Sequence, residues 1–156
     1  GAKELFNSLD IRTTDWDLAE TKSGGPFPEI LEYDIFVNCV LTSTSSRPFI
    51  NSDLIKSTRK LLVISDVSCD PGNEYNTIPL YDHPTSFDFP YHTIMADSQP
   101  LYIAAIDNLP AMFPKESSVD FEKQLLPYLI DFRDDNCGVW GRAKKVFDAK
   151  LAKILL

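Results

Sequence analysis

Basic residues and cysteines are scarce in this sequence. Its 156 residues include 15 Lys and Arg against 23 Asp and Glu, which gives a formal net charge of -8. Nucleic acids and anionic membrane surfaces attract basic proteins, so we expect neither to be a partner. The cysteines, Cys39, Cys69 and Cys137, are odd in number and lack the spacing of zinc ligands. The sequence therefore predicts no structural disulfide and no metal site within this chain.

Long apolar runs and the common signatures of catalysis are also missing. No stretch approaches the roughly 20 apolar residues of a membrane span, and no charged-then-apolar leader is present, so we expect a cytoplasmic protein. No Walker loop, nucleophile elbow or Ser-His-Asp spacing is found. His83 and His92 lie in a Pro-rich stretch typical of a loop. The sequence predicts no catalytic residue in this chain.

Asp66 and Asp70 are the strongest alternative to that conclusion. Two carboxylates so close in sequence can form a metal-binding or acid-base pair. The Pro-Gly step that follows Asp70 favours an ordinary turn at this position instead.

The remaining pattern is typical of an α/β domain. Apolar, β-branched runs predict strands, of the kind buried on both faces of a parallel sheet, at 34–41, 60–67 and 102–106. Other segments predict helices at 2–9, 119–132 and 139–156 and a short strand at 11–16. We therefore predict an incomplete Rossmann-type, doubly wound parallel sheet at 1–112 that lacks its first strand. The helices at 113–156 are predicted to return to a second domain.

An acidic residue, Asp17, follows the predicted strand at 11–16. In a Rossmann unit an acid about 20 residues beyond the glycine-rich turn accepts hydrogen bonds from the adenosine ribose. Its negative charge repels a 2'-phosphate, which favours NAD over NADP. The first strand and the turn are not found ahead of Asp17. We therefore expect the sequence to be a piece of a larger enzyme, with Gly1 as the last glycine of the turn.

Polar residues follow three more predicted strands. These transitions occur at Leu41, at Val67, and along the run Ile106, Asp107, Asn108 and Leu109. Ligands of open α/β sheets bind in the crevice outside the carboxyl ends of the strands. The transitions therefore predict a nucleotide site at one edge of the sheet.

Several motifs, in order along nearly the whole chain, resemble the NAD-dependent, lysine-forming saccharopine dehydrogenase family, within the wider alanine dehydrogenase superfamily. They are Trp16 to Thr21 with Gly24 to Phe27, Asp34 to Cys39, Asp66 to Asp70, Asn76 to Tyr81, Ile106 to Pro110, Leu125 to Pro127, and Val139-Trp140 with Arg142 to Lys144.

The resemblance implies an oxidative deamination. Saccharopine, NAD and water would give L-lysine, 2-oxoglutarate and NADH, a reaction of lysine biosynthesis. The resemblance places cofactor contacts at Gly1, Asp17, Thr21, Leu41, Val67 and the run 106–109. Where Leu41 stands, the family commonly has an aromatic residue.

The resemblance also implies that the catalytic lysine and histidine lie in an N-terminal half with no counterpart here. This half would be the partner of the helices at 113–156, and the chain alone would be inactive. Two alternatives remain open: an alanine-dehydrogenase-like enzyme for another amino acid, and a non-catalytic nucleotide-binding module.

Overall fold

The computed structural model describes residues 1–42, 47–95, 99–130, 132 and 138–154. The chain folds as two compact units, Gly1–Asn108 and Leu109–Leu156. The first unit contains helices α1 (Ala2–Ser8) and α2 (Leu18–Thr21) and a four-stranded sheet. The second contains helices α3 (Pro114–Ile130) and α4 (Gly138–Ile154). Short 3-10 helices lie at Pro28–Glu32, Leu54–Lys56 and Leu109–Met112.

The sheet is mostly parallel. Its strands are β1 (Ile35–Asn38), β2 (Val63–Asp66), β3 (His92–Met95) and β4 (Leu101–Ala104), in the order β1-β2-β4-β3. β2 pairs in parallel with β1 and with β4, whereas β3 runs antiparallel to β4. The structure thus confirms the three predicted strands of the parallel sheet, each somewhat shorter than predicted.

One face of this sheet carries the core. Side chains of alternate residues point to the same side of a strand, and Ile64, Leu101 and Ile103 are all fully buried. They pack with residues from loops and 3-10 helices, namely Ile30, Leu31, Phe49, Ile50, Ile55, Leu61 and Ile78. The other face is partly open, because Ile35 of β1 is 47% exposed. The prediction that β1 is buried on both faces is therefore wrong for the described residues.

One further prediction of secondary structure is wrong, and one strand was not predicted. Residues 11–16 form no strand, since no described segment pairs with them, and Ile11 is 45% exposed. β3 was not predicted, because the prolines that precede His92 are typical of a loop. An edge strand tolerates nearby proline because only one of its sides needs hydrogen-bond partners. In both cases the outcome depends on whether another strand lies beside the segment and pairs with it.

Three loop segments run side by side around Gly25. Phe27 N donates to Phe49 O at 2.8 Å, and Phe49 N donates to Thr77 O at 2.9 Å. The Trp16 ring meets the Phe27 ring edge-on, with centroids 5.4 Å apart. A Cβ atom added at Gly25 would lie only 2.1 Å from the Pro48 carbonyl oxygen. The close approach of these backbones therefore requires glycine at this position.

A buried arginine joins the loop ahead of β2 to the segment ahead of β4. Arg59 is 7% exposed and donates to the carbonyl oxygens of Ile55 at 3.3 Å and Pro100 at 3.4 Å. It also donates to the carbonyl oxygens of Leu61 and Gln99. Buried carbonyls need hydrogen-bond partners, and one guanidinium supplies several of them here.

We expect Arg59→Lys to lower the free energy of unfolding by about 2 to 3 kcal/mol, because an ammonium group cannot reach all four carbonyls of this fork. Urea denaturation followed by circular dichroism measures the loss. Arg47→Lys is the matched control, since Arg47 is exposed and Nη2 donates to Ser23 O at 3.1 Å. Its cost should stay within about 0.5 kcal/mol. Equal midpoints for the two variants would contradict the assignment.

The second unit is a pair of helices with exposed apolar side chains. Trp140 Nε1 donates to Tyr128 O at 2.9 Å, and the Phe132 and Trp140 rings meet edge-on. Yet α3 contains no buried residue, and Phe147 and Ile154 of α4 are 63% and 79% exposed. Within the described part of the chain, no helix has the length and apolar character needed to cross a membrane.

Candidate functional site

The parallel strands bring three chain exits to one edge of the sheet. Asn38 and Asp66, the last residues of β1 and β2, are register partners, and Ser65 pairs with Ala104 of β4. Val67 N continues the pairing by donating to Asn38 O at 2.9 Å. The carboxyl edge, defined here by the exits after β1, β2 and β4, is therefore a single surface.

Four of the six predicted contacts that follow the strands of the sheet are exposed. Leu41 is 91% exposed and Val67 is 41% exposed. Asp107 and Asn108 are exposed as well, and Asn108 adopts a left-handed backbone conformation with φ of 58°. Ile106 is half-buried and bridges to Thr85. Leu109 begins the 3-10 helix of the second unit.

A buried carboxylate lies directly beneath this edge. Asp66 is 2% exposed, and Oδ2 accepts from Tyr81 Oη at 2.7 Å. Oδ1 accepts from Asn38 Nδ2 at 2.9 Å and from the backbone N atoms of Ser68 at 3.2 Å and Cys69 at 3.3 Å. Four neutral donors thus fix the carboxylate and the turn that follows β2. We call Asp66, Asn38, Ser68, Thr77 and Tyr81 the Asp66 network.

Asn38 is the second buried member of the Asp66 network. It is 2% exposed, and Nδ2 also donates to Thr77 Oγ1 at 3.1 Å. Exchanging the two amide atoms would set an oxygen against the Asp66 carboxylate, so this orientation is the favourable one. The Oδ1 atom of Asn38 has no hydrogen-bond partner among the described residues.

The turn after β2 also holds a thiol and is linked to β4. Cys69 has φ of 48°, and Sγ donates to Ala105 O at 3.1 Å. Burial, followed by the negative charges of Asp107 and Asp66, raises the pKa of Cys69. Burial and the hydrogen bond to Asp66 likewise raise the pKa of Tyr81. Both groups are therefore held in their neutral forms at neutral pH.

The two histidines lie against each other. The rings of His83 and His92 meet with centroids 4.4 Å apart, and His92 Nε2 contacts His83 O at 2.9 Å. His92 also stacks on Tyr81. Within the described ranges, no group of three or more His, Cys, Asp or Glu is arranged to hold a metal ion. Asp70 instead begins a turn, in which its carbonyl accepts from Asn73 N at 3.2 Å.

The predicted ribose contacts lie on a short capped helix rather than on a strand end. Asp17 is exposed and caps α2, where Oδ1 accepts from Leu18 N at 2.7 Å. Glu20 returns the interaction by accepting from Asp17 N at 2.8 Å, and Thr21 Oγ1 donates to Asp17 O at 2.9 Å. Gly1 caps α1, with open space around its Cα. Asp17 and Thr21 are thus brought together.

Sequence reasoning missed the central role of Asp66 and did not single out Asn38 or Tyr81. A signal was present for two of them. Asn38 and Asp66 are polar residues inside apolar strand patterns, and a polar residue predicted to be buried must find a partner. Tyr81 lies 15 positions beyond Asp66 in an irregular loop, so no periodicity could indicate the contact.

Named proteins from three fungi match the chain over nearly its full length. Proteins named "Saccharopine dehydrogenase [NAD(+), L-lysine-forming]" are 46% identical in Yarrowia lipolytica, 41% in Candida albicans and 43% in Schizosaccharomyces pombe. Each alignment covers 99% of this chain but only 42% to 44% of the relative. The chain therefore spans less than half the length of these relatives.

A family comparison covers most of the chain as well. Residues 21–153 match the family described as "Alanine dehydrogenase/PNT, C-terminal domain". The matched region includes the whole four-stranded sheet, the Asp66 network, helix α3 and all but the last residue of α4. The chain therefore belongs to the alanine dehydrogenase/PNT C-terminal domain family.

Proposed function

We propose that this chain is the nucleotide-binding part of an NAD-dependent oxidoreductase that cleaves saccharopine oxidatively to L-lysine and 2-oxoglutarate. The observation that carries the proposal is the similarity of 99% of the chain to relatives that bear this activity in their names. The exposed carboxyl edge of the sheet supports it, because nucleotides bind at this edge in open α/β sheets.

The residues of the chain fit a dinucleotide. Asp17 offers exposed carboxylate oxygens that can accept from ribose hydroxyls, and Thr21 lies beside it. Leu41 and Val67 offer exposed apolar surface at two strand exits, and Asp107 and Asn108 offer polar atoms at the third. Gly1, the N-cap residue of α1, is included in the proposal as a further cofactor contact. Bound NAD would supply the hydride acceptor for the reaction.

We further propose that the second unit is covered by the rest of the protein. The apolar side chains of α3 and α4 are largely exposed, and burying such surface is the main driving force of association. The relatives are more than twice as long as this chain, so they contain a segment that can supply the cover. The sequence predicts a domain boundary between residues 112 and 113, and this boundary remains a prediction. The two compact units divide between Asn108 and Leu109.

Activity of the longer protein that contains this chain tests the function. With NAD and saccharopine, absorbance of reduced nicotinamide should rise and L-lysine should accumulate. L-alanine is the discriminating substrate, because the same domain family includes alanine dehydrogenase. Turnover of alanine and not saccharopine would replace the proposal by the first alternative, and failure to bind any nicotinamide nucleotide would refute both.

Replacing Asp17 should weaken cofactor binding. We expect Asp17→Ala to cost about 1 to 3 kcal/mol of NAD affinity, because hydrogen bonds from the ribose to a charged acceptor are lost. Asp17→Asn is the matched variant, since asparagine caps a helix as well as aspartate does. It should keep α2 folded while still weakening NAD. Calorimetric titration of the longer protein measures the affinity, and equal affinity in all three proteins would refute the role of Asp17.

A further inference from the structure

The carboxylate of Asp66 is a buried negative charge that no described cation neutralises. Its four hydrogen-bond donors are the Tyr81 hydroxyl, the Asn38 amide and the backbone N atoms of Ser68 and Cys69, all of them neutral. Four donors and no acceptor reach the group, which is the pattern of an ionised carboxylate. None of the ion pairs of the described residues includes it.

The position of this charge is tied to the carboxyl edge. Asp66 ends β2, and the next residue, Val67, is a proposed cofactor contact. Asp107 and Asp70 are further carboxylates near this turn: after burial, the largest cause, both act with Asp66 in raising the pKa of Cys69. A buried charge is screened by solvent much less than an exposed one, so its field extends to a ligand on the edge.

We propose that the nicotinamide ring docks at the exit of β2 and that Asp66 makes this site select the oxidised ring over the reduced one. This inference rests on the proposed function. The oxidised ring carries a positive charge and the reduced ring is neutral, while the rest of the dinucleotide is the same. A fixed negative charge beneath a ring docked there would therefore stabilise the oxidised form more than the reduced form. Asp66 is a positioning residue for the turn after β2 and, through its charge, a determinant of which form of the cofactor binds more tightly.

The test uses Asp66→Asn in the longer protein. The asparagine keeps the shape of the side chain: Oδ1 can still accept from Asn38, Ser68 and Cys69, and Nδ2 can donate to the Tyr81 oxygen. Dissociation constants of NAD and NADH are measured for both proteins. We expect the ratio of the NAD constant to the NADH constant to rise by roughly 3- to 10-fold, as expected for removing one nearby charge.

Tyr81→Phe is the matched control. It removes one hydrogen bond from Asp66 but leaves the charge in place, so any loosening of the turn should weaken both nucleotides alike. Its ratio should stay within about twofold of wild type. If Asp66→Asn changes both constants by the same factor, Asp66 is only structural and the inference is overturned.

A second measurement needs no variant and guards against a failure of Asp66→Asn to fold. The neutral benzamide analogue of NAD has the shape of the oxidised cofactor without the ring charge. Wild-type protein should bind NAD more tightly than this analogue, and equal affinity would overturn the inference. If NAD, NADH and the analogue all fail to bind, the proposed function itself fails. If all three bind with the same affinity, the proposed function stands and only the role of Asp66 in cofactor selection is refuted.

Discussion

Gly25→Ala is expected to lower the free energy of unfolding by about 4 kcal/mol or more, enough to unfold a marginally stable protein. The added Cβ would lie 2.1 Å from the Pro48 carbonyl oxygen and 2.6 Å from the Phe49 Cα atom. Both are backbone atoms, so no side-chain rotation can relieve the overlap. The segments at 24–27 and 47–49 would have to separate, with loss of the hydrogen bond between Phe27 N and Phe49 O.

Gly72→Ala is the control for this prediction. Gly72 has φ of +75°, and a Cβ added there would meet nothing within 4 Å. Its cost should therefore come from the backbone conformation alone, about 1 to 2 kcal/mol. Thermal and urea unfolding of the two variants distinguish the cost of steric overlap at Gly25 from the cost of backbone conformation at Gly72. A Gly25→Ala protein as stable as Gly72→Ala would show that the two loop segments separate easily.

Turnover by the 156-residue chain alone should lie at least about 100-fold below that of the longer protein, because we expect the general acid and base to lie in the rest of that protein. His83 and His92 contact each other in the loop and at β3, and no other histidine is present. Tyr81 and Cys69 have raised pKa values and are bound to acceptors. Tyr81 and Cys69 are therefore held in their neutral forms at neutral pH.

The measurement is formation of NADH from saccharopine and NAD by the purified chain. Addition of the remaining segment of the protein as a separate chain should restore turnover if it covers the second unit. Wild-type activity in the chain alone would show that its own residues are sufficient for the chemistry, and would overturn the assignment of no catalytic residue to this chain.

The local parts of the fold could be predicted from the sequence. The β-branched runs of β1, β2 and β4 and the periodicity of α3 and α4 act over short distances, and each of these elements was found. The carboxyl edge followed from the same information, because parallel strands must end at one edge. The residues flanking Leu41 and Val67 were therefore placed correctly at strand exits, while their contact with a cofactor remains a proposal.

Features that depend on distant partners could not be predicted. β3 exists because β4 offers it an antiparallel neighbour, and the segment at 11–16 forms no strand because no described neighbour pairs with it. Asp66 looked like one of a pair with Asp70, since they are close in sequence. Its actual partners are Asn38 and Tyr81, which lie 28 and 15 positions away. Sequence spacing does not report such contacts.

The raised pKa of Cys69 bears on how this protein withstands oxidants. Peroxides and alkylating agents attack the thiolate, and the thiol itself reacts slowly. Burial, followed by the negative charges of Asp107 and Asp66, disfavours the thiolate at Sγ, and Ala105 O accepts a hydrogen bond from the thiol. Burial and the anionic surroundings thus keep Cys69 chemically quiet, so oxidants should modify Cys69 slowly while more reactive thiols elsewhere are consumed.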